Sequence, residues 1–581
     1  MIMDKTRLKK LIGTAAGRVD ADLLIINGRI ADVYSGRFIR GELAVSDGMI
    51  AAIGEPGAYK GVETVDAKGQ YLIPGLIDSH IHIESSFLSP PELGRLLVPL
   101  GTSTIIADPH EIANVAGLVG LNYMLEASEG IALDIKFMLP SCVPSTSFEN
   151  AGASLSAADL EVPITNSRIL GLGEMMNYPA VINGDQAVLD KILLALKQKK
   201  FIDGHSPGLA GKGLAAYAAG MIRTDHECST VEEMHRRLEL GMYVMLRQGS
   251  ACKDLRNLIP GLDSSNNRRC LLCSDDYHPD SIIYEGHINN DLRICVEEGV
   301  DPMTAVRMAS LNAAECFGLN DRGGFSPGKR ADIVLVPDLV RFKPSLVYIK
   351  GVLAAKDGKY LPPVPKPDDK MLRASIHVRD FSAQKLVMHI KKDTVHVIDV
   401  RPGAVLTGKG RARIKCDETG NFIFNPDDGI AKIAVIERHK NTGNVGLGLI
   451  RGYGIKRGAI AVSVAHDSHN IITVGCSDND MAAAARRLIE LGGGAALVLN
   501  GAVVEEMSLP LGGLMSDQSG EQVDKKLKSL QRMAVEELGV NGDIDPLMTL
   551  CFMSLPVIPE LKITDMGLFD TQKFDFIPLE C

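Results

Sequence analysis

The first thirty residues, MIMDKTRLKKLIGTAAGRVDADLLIINGRI, lack a continuous apolar segment long enough for secretion or membrane spanning, and charges run through the first twenty. A cytoplasmic protein with no membrane partner is expected. No basic tract occurs, and 62 Lys+Arg against 72 Asp+Glu leave a net charge of −10, which argues against nucleic acid as a partner. The eleven cysteines lack a paired spacing, and several sit in apolar runs such as RRCLLCSDD, so buried reduced thiols are expected rather than disulfides. There is no internal repeat of fixed period.

What is present is an ordinary globular composition, 45% hydrophobic and 23% charged, in 581 residues, enough for three or four domains. Residues 1–20 read as a helical segment and residues 21–74 as a small β module, with hairpin turns favoured at Asn27-Gly28 and Asp47-Gly48. From residue 75 the pattern changes to short apolar runs that end in polar residues and alternate with helical stretches. PGLIDSHIHIESS, STIIADPHE, DIKFMLPSCV, SRILGLGEMMN, KFIDGHSP, GMIRTDHECST, GMYVMLRQGS and RRCLLCSDDYHP make eight strand candidates before residue 280. Apolar strands alternating with helices imply a parallel sheet buried on both faces, and eight of them imply a closed (β/α)8 barrel of the TIM type. No Gly-rich phosphate turn follows the first run, which counts against a doubly wound open sheet.

DPMTAVRMASLNAAECFGL predicts a closing helix with Asp301 as N-cap, Pro302 in the first turn and Gly318 as stop. The barrel should therefore occupy 75–320, and strands in 321–361 should complete the β module as a small sandwich built from both flanks. Proline-rich LPPVPKPDDK lies in a linker, 362–374, and a separate α/β or α+β domain is expected over 375–581.

Barrel chemistry sits at the carboxyl ends of strands, where this sequence collects His80, His82, Glu174, His205, His226, Asp275 and Asp276. His80 and His82 alternate on one strand, so both imidazoles can face one ion. Six imidazole and carboxylate candidates, with Asp276 as the alternative to Asp275, exceed the needs of one tetrahedral ion, and a carboxylate such as Glu174 can bridge two. The expected chemistry is activation of water.

PGLIDSHIHIESS and LNAAECFGLNDRGGFSPGKRADIVLV resemble the first-strand signature and barrel-closing tail of the amidohydrolase superfamily. SHIHIESS, ADPHEIANV, GLGEMMN, DGHSPGL, TDHECST and CSDD, joined to RGYGIKRGAIAVSVAHDSHNIITVG, resemble the adenine deaminase family over nearly the whole chain. The resemblance implies hydrolysis of adenine to hypoxanthine and ammonia in purine salvage, with Mn²⁺, or Fe²⁺ or Zn²⁺, as two ions per subunit. It assigns His80, His82 and Asp275 to one ion, His205 and His226 to the other, and Glu174 to the bridge, with Asp276 as second choice for Asp275.

Deamination also needs a proton shuttle, for which Asp275 is the candidate, and an acid near N1 of the purine, for which Glu111 and Glu227 both qualify. His110 and Asp276 are candidate substrate contacts, although His110 can equally be a rim histidine held by hydrogen bonds. His466, Asp467 and His469 in VAHDSHN are expected to form a buried polar network, to join the active site or to hold a further metal. Glu437 and His439 are as readily solvated as paired, and the methionines at 221, 234, 242 and 245 read as core filling. A cyclic-amide hydrolase of the dihydroorotase or hydantoinase type is the competing activity, against which Glu174 in place of a lysine and the long tail both count. A non-catalytic scaffold of the same fold is the other alternative. A homodimer or homotetramer is expected.

Overall fold

The computed structural model describes residues 3–402 and 405–581. Eight strands form the barrel: β1 (Leu76–His82), β2 (Thr102–Ala107), β3 (Asp134–Leu139), β4 (Ile169–Met175), β5 (Phe201–Gly204), β6 (Thr224–Asp225), β7 (Tyr243–Arg247) and β8 (Cys270–Cys273). Each falls in one of the eight apolar runs. They pair in parallel as two arcs, β1 to β5 and β6 to β8, and the short strand Asp275–Asp276 returns to pair with Ile81 and His82 of β1. β1 and β2 are buried along their full length, as strands covered by helices on one face and barrel contents on the other must be.

One end of the barrel is plugged. Ile77, Ile106, Met138, Met245, Leu271 and Cys273 pack there with Ala313 and Phe317, leaving the opposite, carboxyl ends of the strands for polar groups. The closing segment that supplies this plug is two helices, Pro302–Met308 and Leu311–Cys316, where the sequence pattern suggests one. The break falls at Ser310, whose hydroxyl donates to the Val306 carbonyl at 2.6 Å and competes with the helical ladder. Asp301 caps the first helix through the Thr304 amide, as expected.

Both flanks of the barrel enter one nine-stranded sheet, joined where Ile333–Val336 pairs antiparallel with Tyr71–Pro74. Asp47 and Gly48 make a tight hairpin turn with positive φ at both positions. Asn27 and Gly28 do not turn the chain: they form a bulge inside the strand Ala21–Asp32, at which it exchanges its parallel partner Gly61–Asp66 for Tyr71–Pro74. A Cβ on Gly28 would lie 2.5 Å from a Leu72 methyl, so any larger residue here would need that side chain to move.

Beyond the extended 361–370 segment, an eight-stranded sheet carries the helices Asp478–Leu491, capped by Ser477, and Gly520–Glu536, opened by a capping box between Ser519 and Gln522. This region packs onto the barrel mouth: the Ser516 amide donates to the Phe87 carbonyl at 2.8 Å, and Asn150 Nδ2 donates to Asp565 at 2.7 Å. Among the described residues, no helix is long and apolar enough to cross a membrane, and all eleven cysteines are free thiols. Met234, Met242 and Met245 are core residues, whereas Met221 is exposed.

Candidate metal and active site

His80 and His82 project from one side of β1 with their Nε2 atoms 3.2 Å apart. Their Nδ1 atoms face away: that of His80 lies 2.9 Å from Asp203 Oδ2 and that of His82 lies 3.0 Å from the Asp108 carbonyl oxygen. Both partners can only accept, so each ring carries its proton on Nδ1 and turns an Nε2 lone pair toward the same point. Two lone pairs aimed at each other in a buried site are unfavourable unless a cation lies between them. The donor set therefore fits a divalent metal.

Glu174, at the end of β4, reaches both groups of histidines. Its Oε1 lies 3.5 Å from His82 Nε2, and its Oε2 lies 2.8 Å from His205 Nδ1 and 3.2 Å from His226 Nε2. Its amide donates to Asp108 Oδ2 at 2.8 Å, and a Cβ on the preceding Gly173 would sit 2.0 Å from that same oxygen. Only glycine lets the strand approach Asp108 so closely. Asp203 is in turn fixed by the Gly204 amide at 2.9 Å and by the Thr224 hydroxyl.

Of the two adjacent aspartates, Asp275 faces the histidines, with Oδ1 3.1 Å from His82 Nε2 and 3.8 Å from His80 Nε2, and its Oδ2 accepts from Arg247 at 2.8 Å. Asp276 lies at the edge of the centre and accepts from the Ser85 hydroxyl at 2.5 Å. Burial opposes ionisation of Glu174, yet His205, His226 and His82 hold its carboxyl well below the usual carboxylate range. Burial likewise opposes ionisation of Asp275, and His82 together with Arg247 holds it well below that range. In the metal-free site the imidazoles do this as protonated donors, and a divalent ion would take the place of those protons beside carboxylates already ionised.

A cavity of about 150 Å³ opens above the centre, and His110, Glu111, Glu227 and Asp276 line it with the candidate ligands other than His80. Glu227 stands 3.3 Å from His226 Nε2 and is clamped by the Arg247 guanidinium. His110 opens the helix His110–Ala127, with Nδ1 3.4 Å from Glu174 and Nε2 3.4 Å from Glu111. Both oxygens of Glu111 are taken by imidazoles from VAHDSHN, Oε1 by His466 Nδ1 and Oε2 by His469 Nε2. Among the described residues, Asp467 Oδ2 is buried without a hydrogen-bond partner beside the cavity.

Several contributors carry no signal in the sequence pattern. Asp108 and Asp203 lie one or two residues from nominated histidines and act on the face turned away from the centre. Arg247 ends β7 and joins Glu227, Asp275 and Asp254. The roof consists of apolar residues of the C-terminal region, among them Leu406, Phe552, Leu555 and Ile558, which resemble any core residues in sequence. Glu437 and His439 are paired rather than solvated: buried Glu437 accepts the amides of His439, Lys440 and Thr442, and His439 Nε2 lies 2.6 Å from the Ser468 carbonyl oxygen of VAHDSHN. Arg451 of RGYGIKRG pairs with Asp399.

Residues 71–356 match the amidohydrolase family, and residues 404–575 match the adenine deaminase C-terminal domain. The chain is 56% identical over 578 residues to adenine deaminase 2 of Desulfotalea psychrophila, covering 100% of both chains. It is 50% identical to adenine deaminase of Nitratidesulfovibrio vulgaris over 98% of each chain, and 47% identical to adenine deaminase of Ligilactobacillus salivarius over 100% of each.

Proposed function

Since the chain belongs to the adenine deaminase family of the amidohydrolase superfamily, and acts as a hydrolase on the C–N bond that carries the amino group of adenine, we propose how its residues divide the work. Adenine and water give hypoxanthine and ammonia. His80, His82 and Asp275 would hold one divalent ion and His205 and His226 a second, with Glu174 within reach of both groups of histidines. Mn²⁺ is the expected metal, with Fe²⁺ or Zn²⁺ accepted by the same ligands. Bound there, the ions supply Lewis acidity and lower the pKa of water.

The observation that carries this reading is the pair of Nε2 lone pairs from His80 and His82 converging beside Glu174 and Asp275, each locked by a hydrogen bond behind it. Asp275 collects a proton of the attacking water and delivers it to the leaving amine, while Arg247 keeps its carboxylate oriented. Glu227 serves the ring nitrogen N1. Both carboxylates accept at both oxygens, Glu111 from His466 and His469 and Glu227 from Arg247, and Glu227 is preferred because it stands beside His205 and His226. Arg247 holds Glu227 ionised at rest, so it takes one of the attacking water's two protons and passes it to N1, while Asp275 carries the other to the leaving amine. Asp276 and His110 line the base site, and the apolar roof excludes bulk water, which strengthens each of these electrostatic contacts.

The reading retains the domain limits 21–74 with 321–361, 75–320 and 375–581, a cytoplasmic setting in purine salvage, and a homodimer or homotetramer. It is tested by measuring hypoxanthine and ammonia formed from adenine together with metal content, with two ions per chain expected. Ring opening of hydantoins without ammonia release from adenine would favour the cyclic-amide hydrolase. A metal-free chain that gains nothing from added Mn²⁺ would leave the scaffold. Asp275→Asn should keep adenine binding and lose turnover by about 10²- to 10⁴-fold, and near-normal turnover would exclude the shuttle role.

A further inference from the structure

VAHDSHN lies between the strands Ala459–Val462 and Ile471–Gly475 and dips into the barrel mouth, with His469 held at φ 53°. His466, His469 and Glu111 are all buried, and their facing atoms form a group of metal-ligating type. Two structures of the group are conceivable: three ligands around a further ion, or a carboxylate gripped by two hydrogen-bond donors.

The backbone behind His469 separates them. The Ala465 amide donates to His469 Nδ1 at 3.1 Å. An Nδ1 that accepts a hydrogen bond has no proton, so the neutral ring carries it on Nε2, the atom that faces Glu111 Oε2. A protonated nitrogen has no lone pair for a metal. His80 and His82 are wired the other way round, with donating Nδ1 atoms behind and free Nε2 lone pairs in front.

We propose that His466 and His469 form a metal-free clamp, closed by the C-terminal region on Glu111, that positions His110 between Glu111 and the bridging carboxylate Glu174. Glu111 follows His110 directly at the start of the helix His110–Ala127, so gripping both Glu111 oxygens fixes the first helical turn and the His110 ring with it. His110 Nε2 then stands 3.4 Å from Glu111 Oε1 and its Nδ1 3.4 Å from Glu174 Oε1. Two imidazoles sharing one carboxylate are not both charged. Burial opposes a charge on His466, but Glu111 pushes it up to about 9, whereas burial drives His469 down to about 4, which agrees with a neutral Nε2–H donor. His466 and His469 act as positioning residues through Glu111, although His466 also lines the cavity.

The inference rests on the preceding reading only in taking Glu174 as a metal ligand. His469→Gln retains an N–H donor near the place of Nε2 but is a poor metal ligand, while His469→Ala retains neither. With the metal-loaded full chain, wild type and both variants should carry the same two ions by elemental analysis. Turnover of adenine should fall about 10- to 100-fold in His469→Ala, the usual cost of losing an outer support of a metal site, and stay within about threefold of wild type in His469→Gln. His466→Ala, set against His466→Asn, which keeps a donor near Nδ1, provides the same test should His469→Ala not fold. A third ion in the wild type that both His469 variants lose overturns the clamp, as does undiminished turnover in folded His469→Ala. A wild type without adenine turnover would strike the proposed function instead, and the three metal counts would still decide for or against the clamp.

Discussion

Lys562 is fully buried, and its ammonium donates to two backbone carbonyls, Phe552 at 2.9 Å and Val405 at 3.1 Å. Both carbonyls belong to the roof of the cavity, so this side chain ties the two roof segments together. Burial pushes its pKa down from 10.5 to about 7. Below pH 7 both folded and unfolded chains hold the proton, and the folded state bears the full cost of the buried charge, as much as about 5 kcal/mol for a shift of this size. Between about pH 7 and 10.5 the unfolded lysine keeps a proton that the folded one has released, so stability rises with pH, by up to about 1.4 kcal/mol per unit. Above that window both forms are neutral and the gain stops. Lys562→Met has no such slope. It also leaves two carbonyls without their donor, a loss of about 1–3 kcal/mol each that does not vary with pH. The variant should therefore lie close to wild type near neutrality and fall progressively behind it toward pH 10. Urea unfolding followed by far-ultraviolet circular dichroism at pH 7.5, 8.5 and 9.5 measures the difference. Wild-type and variant stabilities that run parallel across that range would refute a neutral lysine in the folded state.

Two further perturbations probe supports of the metal centre. Asp203→Asn keeps its one acceptor oxygen for the Gly204 amide and the Thr224 hydroxyl and turns an NH2 toward His80 Nδ1, so the ring loses the hydrogen bond that fixes its tautomer, and metal affinity should drop about 10- to 100-fold, read by competition with a chelator. Gly173→Ala places a methyl against the Asp108 carboxylate, which must shift and release the Glu174 amide; lower metal retention together with a loss of about 1–3 kcal/mol in stability is expected, and an unchanged variant would show that the Gly173 approach is not constrained.

The barrel and its centre were legible in the sequence because they obey a simple contrast. Each barrel strand is an apolar run, and the ends of β1, β4, β5, β6 and β8 are marked by imidazoles or carboxylates, as in GLGEMMN for Glu174 and TDHECST for His226. Residues that act from behind lack that contrast. Asp203 and Asp108 precede named histidines and look like ordinary loop aspartates until the fold shows which ring each one touches. The choice between Asp275 and Asp276 turned on strand pairing, since only the paired register brings Asp275 against His82 and Arg247. Local turn chemistry misled at Asn27-Gly28, where positive φ served a bulge that changes strand partners, and at Ser310, where a single hydroxyl divided a helix that the apolar stripe made continuous.

The C-terminal region was the least legible because its contribution is made of groups that sequence cannot tell from core. Phe552, Leu555 and Ile558 line the site, but nothing in their spacing separates them from residues buried for stability alone. Their placement nevertheless changes the chemistry below. Glu174, Asp275 and Glu227 lie close together among imidazoles and one arginine, and their mutual interactions are strong only where bulk water is kept out. With the roof removed, Glu111 would lose both of its donors and the carboxylates below would face solvent. The cavity is therefore built by the barrel together with the C-terminal region. The histidine pair of β1 supplies a place for metal, and a segment nearly four hundred residues away supplies the dry, fixed surroundings in which that place can work.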